Sequence, residues 1–290
     1  MNILLIGASG FIGRNVAALL TQAGHRIVPA SRQTGFDFVR MTDPADWLPH
    51  LGDIDAVINC VGIIGETGRQ RFVTLHRDAP IALFHACSHA GLRRVIQISA
   101  LGADDSAFST YHLSKRAADE ALLELDIDGI VLRPSLIYGR GGGSAELFLR
   151  LARQPFLPVI GDGAQALQPV HIADVAASVL RCLNSSPSGQ QLDLVGSETF
   201  SFADWLARMR AAQRLPPAPH LAIPPPLALA AFRLLCHAHP LLHPDNLRML
   251  LTGYHAEPSP FSTFLGRSPL PFSPELFFLD APEALSWTTH

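Results

Sequence analysis

The chain opens with the stretch MNILLIGASGFIGRNVAALLTQAG, residues 1–24, and this stretch decides the fold. The apolar run at residues 2–6 predicts a buried strand. Apolar positions at helical spacing after Gly13 predict a helix that ends near Gly24. A glycine-rich turn joins these two elements. A strand, a glycine turn and a helix in this order are typical of a dinucleotide-binding unit.

The three glycines of the turn have separate expected roles. Gly7 lets the chain turn sharply, Gly10 lets the backbone approach a pyrophosphate, and Gly13 lets the helix pack close to the strand. The first N–H groups of the helix then point at the phosphates. The residues predicted to contact a dinucleotide here are Gly7, Ser9, Gly10, Phe11, Ile12, Gly13 and Arg14.

Strand and helix patterns keep alternating beyond this unit. Further strands are predicted at residues 26–30, 56–60, 95–99 and 130–133. Asp43 followed by Pro44 predicts the start of one intervening helix, and another is predicted over residues 79–90. The alternation predicts an α/β fold of the Rossmann type. Such a fold has a doubly wound parallel sheet and binds its ligand at the carboxyl ends of the strands.

The chain contains a single lysine, Lys115, which follows Tyr111 by four residues. A lysine placed at random would stand four residues after one of the three tyrosines only about 3 times in 290, so the spacing is specific. A solvated helix face is the alternative, but arginine would serve there equally well. On one helix face, a compact ammonium can hydrogen-bond both a ribose and a phenol. The pair is therefore predicted to act as an acid–base pair.

Composition excludes several classes of function. The net charge of −3 and the pI near 6.5 argue against a nucleic-acid partner. Four widely separated cysteines fit a reducing cytoplasm, and thirteen scattered histidines show no metal-binding spacing. The apolar residues 227–242 are interrupted by Arg233, His237, His239 and Pro240, which disfavours a membrane-spanning helix. A peripheral membrane contact there stays open as an alternative.

Several motifs occur in an order that resembles a known superfamily. They are the G-x-x-G-x-x-G spacing, the strand ends Cys60-Val61-Gly62 and Ile98-Ser99, and the Tyr111/Lys115 pair. Together they resemble the short-chain dehydrogenase/reductase superfamily, in its extended or atypical branch of NAD-dependent epimerases and dehydratases, over about residues 1–200.

Two runs refine this resemblance. The runs QISALGAD at residues 97–104 and QPVHIADVA at residues 168–176 look most like the NADPH-holding accessory subunit of respiratory complex I and its bacterial relatives. The resemblance implies an NAD(P)-binding domain with a smaller C-terminal substrate lobe. His171 and Asp174 match family positions in that lobe, but a hydrogen-bonded core histidine and a helix cap explain them at least as well.

The resemblance also implies catalytic roles. Tyr111 would exchange a proton with the substrate carbonyl or alcohol, and Lys115 would lower the pKa of its phenol. Ser99 would orient the substrate oxygen, although Ala100 follows where many relatives carry a second hydroxyl, and a strand-end cap is the alternative. Further implied cofactor contacts are Cys60, Val61 and Gly62 over a ribose, Tyr111 and Lys115, and Pro134 in the segment that covers the nicotinamide.

The end of the second strand bears on the choice of cofactor. Proteins that select NAD place an acid there, whereas this chain has Ser31-Arg32. An arginine can clamp a 2′-phosphate, and Arg14 resembles the second cation of NADP-binding relatives, so NADP is predicted over NAD. A solvated strand end is the alternative for Arg32. Asp37 is expected to end the third strand, where an Asp37-Phe38 pair contacts adenine in similar proteins.

These observations predict an NAD(P)-binding domain over residues 1–200, with substrate-lobe segments from about residue 136. Residues 201–290, rich in proline, are predicted to form a helical arm that completes the pocket. The predicted function is that of an NADP-dependent oxidoreductase or epimerase-like enzyme acting on an unidentified small molecule. The alternative is a non-catalytic NADPH-binding protein with a structural, assembly or redox-sensing role.

Overall fold

A computed structural model describes residues 1–185, 189–236 and 240–287, so His237 and His239 lie outside the described residues. The chain divides into two compact units. The first unit contains Met1–Pro134 and Val175–Asp193, and the second contains Ser135–Asp174 and Leu194–His290. The predicted arm at residues 201–290 therefore forms part of the second unit.

The secondary structure elements are as follows. The helices are α1 (Phe11–Gln22), α2 (Pro44–Trp47), α3 (Ala79–His89), α4 (Thr110–Glu124), α5 (Gly143–Ala152), α6 (Ile172–Ser185), α7 (Phe202–Ala212), α8 (Pro225–Leu235), α9 (Pro244–Thr252), α10 (Pro258–Leu265) and α11 (Ala281–Trp287). The strands are β1 (Asn2–Ile6), β2 (Arg26–Ala30), β3 (Ala56–Asn59), β4 (Arg94–Ile98), β5 (Asp128–Pro134), β6 (Ile137–Tyr138), β7 (Leu157–Ile160), β8 (Ala166–Leu167), β9 (Val170–His171), β10 (Gln190–Leu194), β11 (Phe200–Ser201) and β12 (His220–Ile223).

The first unit is built on a sheet with the strand order β10-β5-β4-β3-β1-β2. The strands β1 to β5 pair in parallel, with Ile3 opposite Ile27 on one side and Ala56 on the other. Ile3, Leu4 and Leu5 are all fully buried, as expected where helices cover both faces of a parallel sheet. The predicted α/β Rossmann-type fold is confirmed.

The prediction that Asp37 ends a strand is wrong. The third strand of the chain is β3, and the segment around Asp37 is irregular. Phe36 and Phe38 are buried while Asp37 between them is exposed, which imitates the alternation of a strand. The alternation arises instead because both rings pack on Trp47, at centroid distances of 6.5 and 5.6 Å.

The helix predicted over residues 79–90 is confirmed as α3, but it has an unpredicted extension. A π-helical segment, Val73–Asp78, leads directly into it. Single turns of π-helix often occur at functional sites because they redirect side chains. This segment carries His76, which is fully buried.

The second unit has its own aromatic core. Trp205 lies at centroid distances of 5.5 Å from Tyr138 and 5.1 Å from Phe277. A ring nitrogen of His171, Nε2, lies 3.0 Å from the carbonyl oxygen of Leu276. Asp174 accepts hydrogen bonds from the Arg267 guanidinium and the Leu270 N–H, at 2.6 and 2.8 Å. His171 and Asp174 thus tie the C-terminal segment into this unit.

Arg140 has a similar role. It donates to the Phe278 carbonyl oxygen at 2.7 Å and forms an ion pair with Glu283. Within the described parts of the chain, no helix is long and apolar enough to cross a membrane.

Candidate active site

The glycine turn after β1 has the geometry that its spacing predicts. Gly7 has a φ of +76°, which an L side chain rarely adopts. A Cβ at Gly13 would lie 2.2 Å from the Gly7 carbonyl oxygen, so only glycine lets α1 pass this close to the turn. Among the described residues, a Cβ at Gly10 would meet that same oxygen alone, at 3.2 Å, so the rest of its described surroundings is open.

The N-terminus of α1 suits an anion. No side chain caps it, and its first turn contains no acidic residue. Unpaired N–H groups and the helix dipole therefore favour a negative group at this end. Arg14 adds a cation beside the turn, because its guanidinium donates to the Ser9 carbonyl oxygen at 2.8 Å. These residues fit the pyrophosphate of a dinucleotide.

The end of β2 places Ser31 and Arg32 differently. Ser31 is buried in a capped turn, where its N–H donates to the Thr34 hydroxyl at 2.9 Å. Arg32 is exposed at the start of the turn Arg32–Thr34 and has no ion-pair partner among the residues with described coordinates. Asp37 is also exposed and lies 3.4 Å from Arg40, while the Phe38 ring is buried against Trp47.

The turn after β3 is held by a buried amide pair. Asn59 donates to the Gln97 side chain at 2.8 Å and accepts from the Val61 N–H at 3.0 Å. Burial raises the pKa of the Cys60 thiol to about 12, so this thiol stays protonated at neutral pH. A Cβ at Gly62 would lie 3.5 Å from the Lys115 ammonium, at ordinary contact distance.

Helix α4 carries Tyr111 and Lys115 on one face, as the spacing predicts. Ser109 caps the helix by accepting from the His112 N–H at 3.1 Å, which fixes its start. The Lys115 ammonium is buried and donates to the carbonyl oxygens of Val61 and Ile98, at 3.0 and 2.9 Å. Lys115 therefore joins α4 to the ends of β3 and β4.

Tyr111 packs edge-on against two rings. Its ring centroid lies 5.3 Å from His76 and 5.8 Å from Phe72. Desolvation raises the pKa of the phenol to about 12, and the nearby Asp119 adds to the shift. The sequence predicted that Lys115 lowers the pKa of the Tyr111 phenol. In the structure this pKa is raised instead, because desolvation and the nearby carboxylate have the larger effect. The phenol is fully protonated at neutral pH.

Ser99 forms a hydrogen bond with Asp119, a residue that the sequence did not predict for the site. Its hydroxyl donates to the Asp119 carboxylate, and both side chains are buried. Burial raises the pKa of Asp119 well above its usual 3.8. Asp119 Oδ1 and Gln97 Nε2 have no hydrogen-bond partner among the described residues. Asp119 follows Lys115 by four residues, so continuing the helical period from Tyr111 would have found it.

His76 is the second site residue that the sequence did not predict. Its Nε2 accepts from the Ile63 N–H at 2.9 Å, and its Nδ1 lies 3.3 Å from the Ser114 hydroxyl. Burial, and then the charge of Lys115, holds the pKa of His76 well below 6.5, so the ring is neutral. One histidine among thirteen gives no sequence signal. Pro134 ends β5, where its carbonyl oxygen accepts from the Leu101 N–H at 2.9 Å.

Comparison with known proteins identifies similar chains. The model of the NAD dependent epimerase/dehydratase family matches residues 3–194. A mitochondrial NADH dehydrogenase [ubiquinone] 1 alpha subcomplex subunit 9 from Arabidopsis thaliana is 30% identical over 219 residues, which cover 68% of this chain and 54% of that protein. A ceramide reductase from Caulobacter vibrioides is 30% identical over 190 residues, which cover 61% and 59%. The chain thus matches little more than half the length of these relatives.

Solved structures show the same fold at lower identity. A UDP-glucuronic acid 4-epimerase from Bacillus cereus, solved with NAD, has a TM-score of 0.72 at 21% identity and covers 99% of each chain. A dTDP-glucose 4,6-dehydratase from Bacillus anthracis, also with NAD, has a TM-score of 0.72 at 15% identity, covering 100% of this chain and 96% of that one.

Proposed function

The chain belongs to the NAD dependent epimerase/dehydratase family, and from this premise we propose that it is an NADP-dependent oxidoreductase or epimerase-like enzyme acting on a small carbonyl compound. One observation carries the proposal. Tyr111 and Lys115 lie on one face of α4, and the Lys115 ammonium joins the ends of β3 and β4. Ligands of doubly wound sheets bind at these carboxyl ends.

The proposed cofactor contacts follow from the elements described. The glycine turn and the N-terminus of α1 would hold the pyrophosphate, and Cys60, Val61 and Gly62 would approach a ribose. Lys115 would exchange one of its carbonyl contacts for a ribose hydroxyl. When bound, the nicotinamide would supply or accept the hydride that carbonyl or alcohol chemistry requires.

A protonated Tyr111 can serve as the acid in the reductive direction. A carbonyl that gains a hydride at carbon needs a proton at oxygen, and Tyr111 holds its proton because the pKa of its phenol is raised to about 12. The name of the ceramide reductase relative agrees with this direction. Ser99 would orient the substrate oxygen. A protonated Asp119 can donate to Ser99, which leaves the Ser99 proton free for that oxygen.

The alternative is a non-catalytic protein that holds NADPH in a structural, assembly or redox-sensing role. Two observations support it. The Arabidopsis relative is named as a subunit of NADH dehydrogenase, and the Ser99 hydroxyl is already occupied by Asp119. A family fold alone does not separate the two functions. The effect of Tyr111→Phe on turnover and on NADPH affinity separates them.

NADPH is expected to bind at least about tenfold more tightly than NADH, a difference of about 1.4 kcal/mol. Arg32 supports this preference, because it stands exposed where NAD-selecting proteins carry an acid and can reach a 2′-phosphate. Fluorescence titration with both cofactors measures the ratio. Arg32→Ala should abolish the preference, while the exposed Arg40→Ala should retain it. Equal affinities in the wild-type protein would refute the assignment.

Gly10→Ala is expected to weaken NADPH binding by about tenfold or more and to leave the fold intact. Within the described part of the chain, the added methyl would meet the Gly7 carbonyl oxygen alone, at 3.2 Å, a close contact that a small shift relieves, but it would stand where the pyrophosphate approaches. Calorimetric titration and thermal unfolding test both parts. Gly52→Ala is the matched control, since a Cβ there meets none of the described residues within 4 Å. Unchanged binding in Gly10→Ala would contradict this placement of the cofactor.

We also propose a reducing cytoplasm as the working compartment. Cys60, Cys87, Cys182 and Cys236 are all free thiols, which persist where glutathione keeps cysteines reduced.

A further inference from the structure

Helix α8 and the strand before it expose several leucines. The exposed fraction is 53% for Leu221 in β12, and 61%, 82% and 48% for Leu227, Leu234 and Leu235 in α8. Leu227 and Leu234 stand seven positions apart on one face of α8, and we call these two leucines, together with the neighbouring Arg233, the α8 surface. Scattered single leucines are normal on a protein surface, but a cluster on one helix marks an interaction site.

The opposite face of α8 is already used by its own unit. Ala228 is 3% exposed, Leu229 and Phe232 are half-buried, and the helix packs on α9. Arg233 is the only charged residue between positions 225 and 235. Helix α8 is therefore apolar on both faces. A helix of this kind is normally buried all round, and none of the described residues covers its leucine face.

The charge of the segment that carries α8, which lies between Asp204 and Asp245, indicates what covers it. Residues 205–244 contain four arginines and no aspartate or glutamate, whereas the rest of the chain has 18 basic and 25 acidic residues. Arg214 and Arg233 are exposed. In a symmetric contact with a second copy, the same patch meets itself, so Arg233 would find no acidic partner from residues 205–244 of the other copy. An anionic lipid surface instead supplies both opposite charge and an apolar boundary.

We propose that the α8 surface docks on an anionic bilayer, with its leucines entering the boundary between headgroups and acyl chains and Arg233 at the headgroups. The helix lies on the membrane and does not span it. At eleven residues it is too short to cross the apolar core. This docking is independent of the proposed catalytic function, because it uses no residue of the candidate active site.

The test is flotation of the full chain with vesicles. One set contains three parts phosphatidylcholine to one part phosphatidylglycerol, and the other contains phosphatidylcholine alone. The protein should float with the anionic vesicles and several-fold less with the neutral ones. Leu227→Ser/Leu234→Ser should lower partition by about tenfold or more, because each leucine loses its transfer to the apolar boundary. Arg233→Ala should lower it a few-fold on anionic vesicles only.

Controls make each outcome decisive. Leu48→Ser removes a leucine that is 40% exposed elsewhere in the chain, and it should bind as the wild type does. Leu234→Ser alone serves if the double variant unfolds. Absence of wild-type flotation, or equal flotation of the leucine variants, would overturn the proposal. So would a wild-type dimer, measured by light scattering, that the leucine variants dissociate without any vesicle binding, since the face would then belong to a second copy.

Discussion

Replacing Tyr111 with phenylalanine is expected to lower turnover by about two to four orders of magnitude while changing NADPH affinity by no more than a few-fold. The substitution removes only the hydroxyl that would donate the proton. The ring keeps its edge-on contacts with His76 and Phe72, at 5.3 and 5.8 Å, so the fold of α4 and of the π-helical segment is retained. Oxidation of NADPH across a panel of carbonyl compounds measures the loss.

Tyr254→Phe is the matched control, because it removes a phenolic hydroxyl from the second unit and should leave turnover close to that of the wild type. The same experiment separates the enzyme from the alternative. If the wild type oxidises NADPH with no member of a broad panel, and NADPH stays tightly bound in Tyr111→Phe, the non-catalytic function is the correct one. Tight NADPH binding in Tyr111→Phe together with a large loss of turnover supports the proposed enzymatic function.

Lys115→Met is expected to destabilise the protein by about 1.5 to 3 kcal/mol near pH 8, because two buried carbonyl oxygens lose their charged donor. The ammonium donates to the Val61 and Ile98 carbonyl oxygens, and its charge also favours the ionised form of Asp119. Methionine fills a similar volume but has no donor and no charge. NADPH binding should weaken as well, since the ribose loses the ammonium.

The pH dependence of this loss has a definite sign. Burial raises the pKa of Asp119 in the folded protein to about 7, above the usual 3.8 of the unfolded chain. The folded protein therefore loses stability as pH rises from the lower of these pKa values to the higher. Removing Lys115 raises that pKa further, which extends the interval upward. Burial lowers the pKa of Lys115 to about 8, so the wild type is relieved of the cost of its buried ammonium only above that pH. Between pH 5 and pH 8 the Asp119 effect dominates, and it makes the variant's deficit smaller near pH 5 than near pH 8.

Urea unfolding of wild type and Lys115→Met at both pH values measures the deficit. Arg116→Met is the matched control, because Arg116 is the next residue on α4 but forms solvent-accessible ion pairs with Glu120 and Asp105. Its effect on stability should be small and nearly independent of pH. An equal deficit for Lys115→Met at the two pH values would show that Asp119 and Lys115 are not coupled.

Sequence alone determined the features that depend on local geometry. The glycine turn could be predicted because Gly7 needs a left-handed backbone and Gly13 needs close helix packing, and both requirements act within a few residues. Tyr111 and Lys115 share a face because the helical period places positions four apart together. The parallel sheet follows from apolar strands alternating with helices.

Tertiary structure alone decided the partners and protonation states of the site. Ser99 meets Asp119 across 20 positions, and His76 meets Ser114 across 38, so no local spacing brings either pair together. The irregular segment at Asp37 likewise depends on Trp47. The phenol of Tyr111 has a raised pKa because residues from separate elements exclude water from it, and desolvation of this kind depends on packing rather than on sequence spacing.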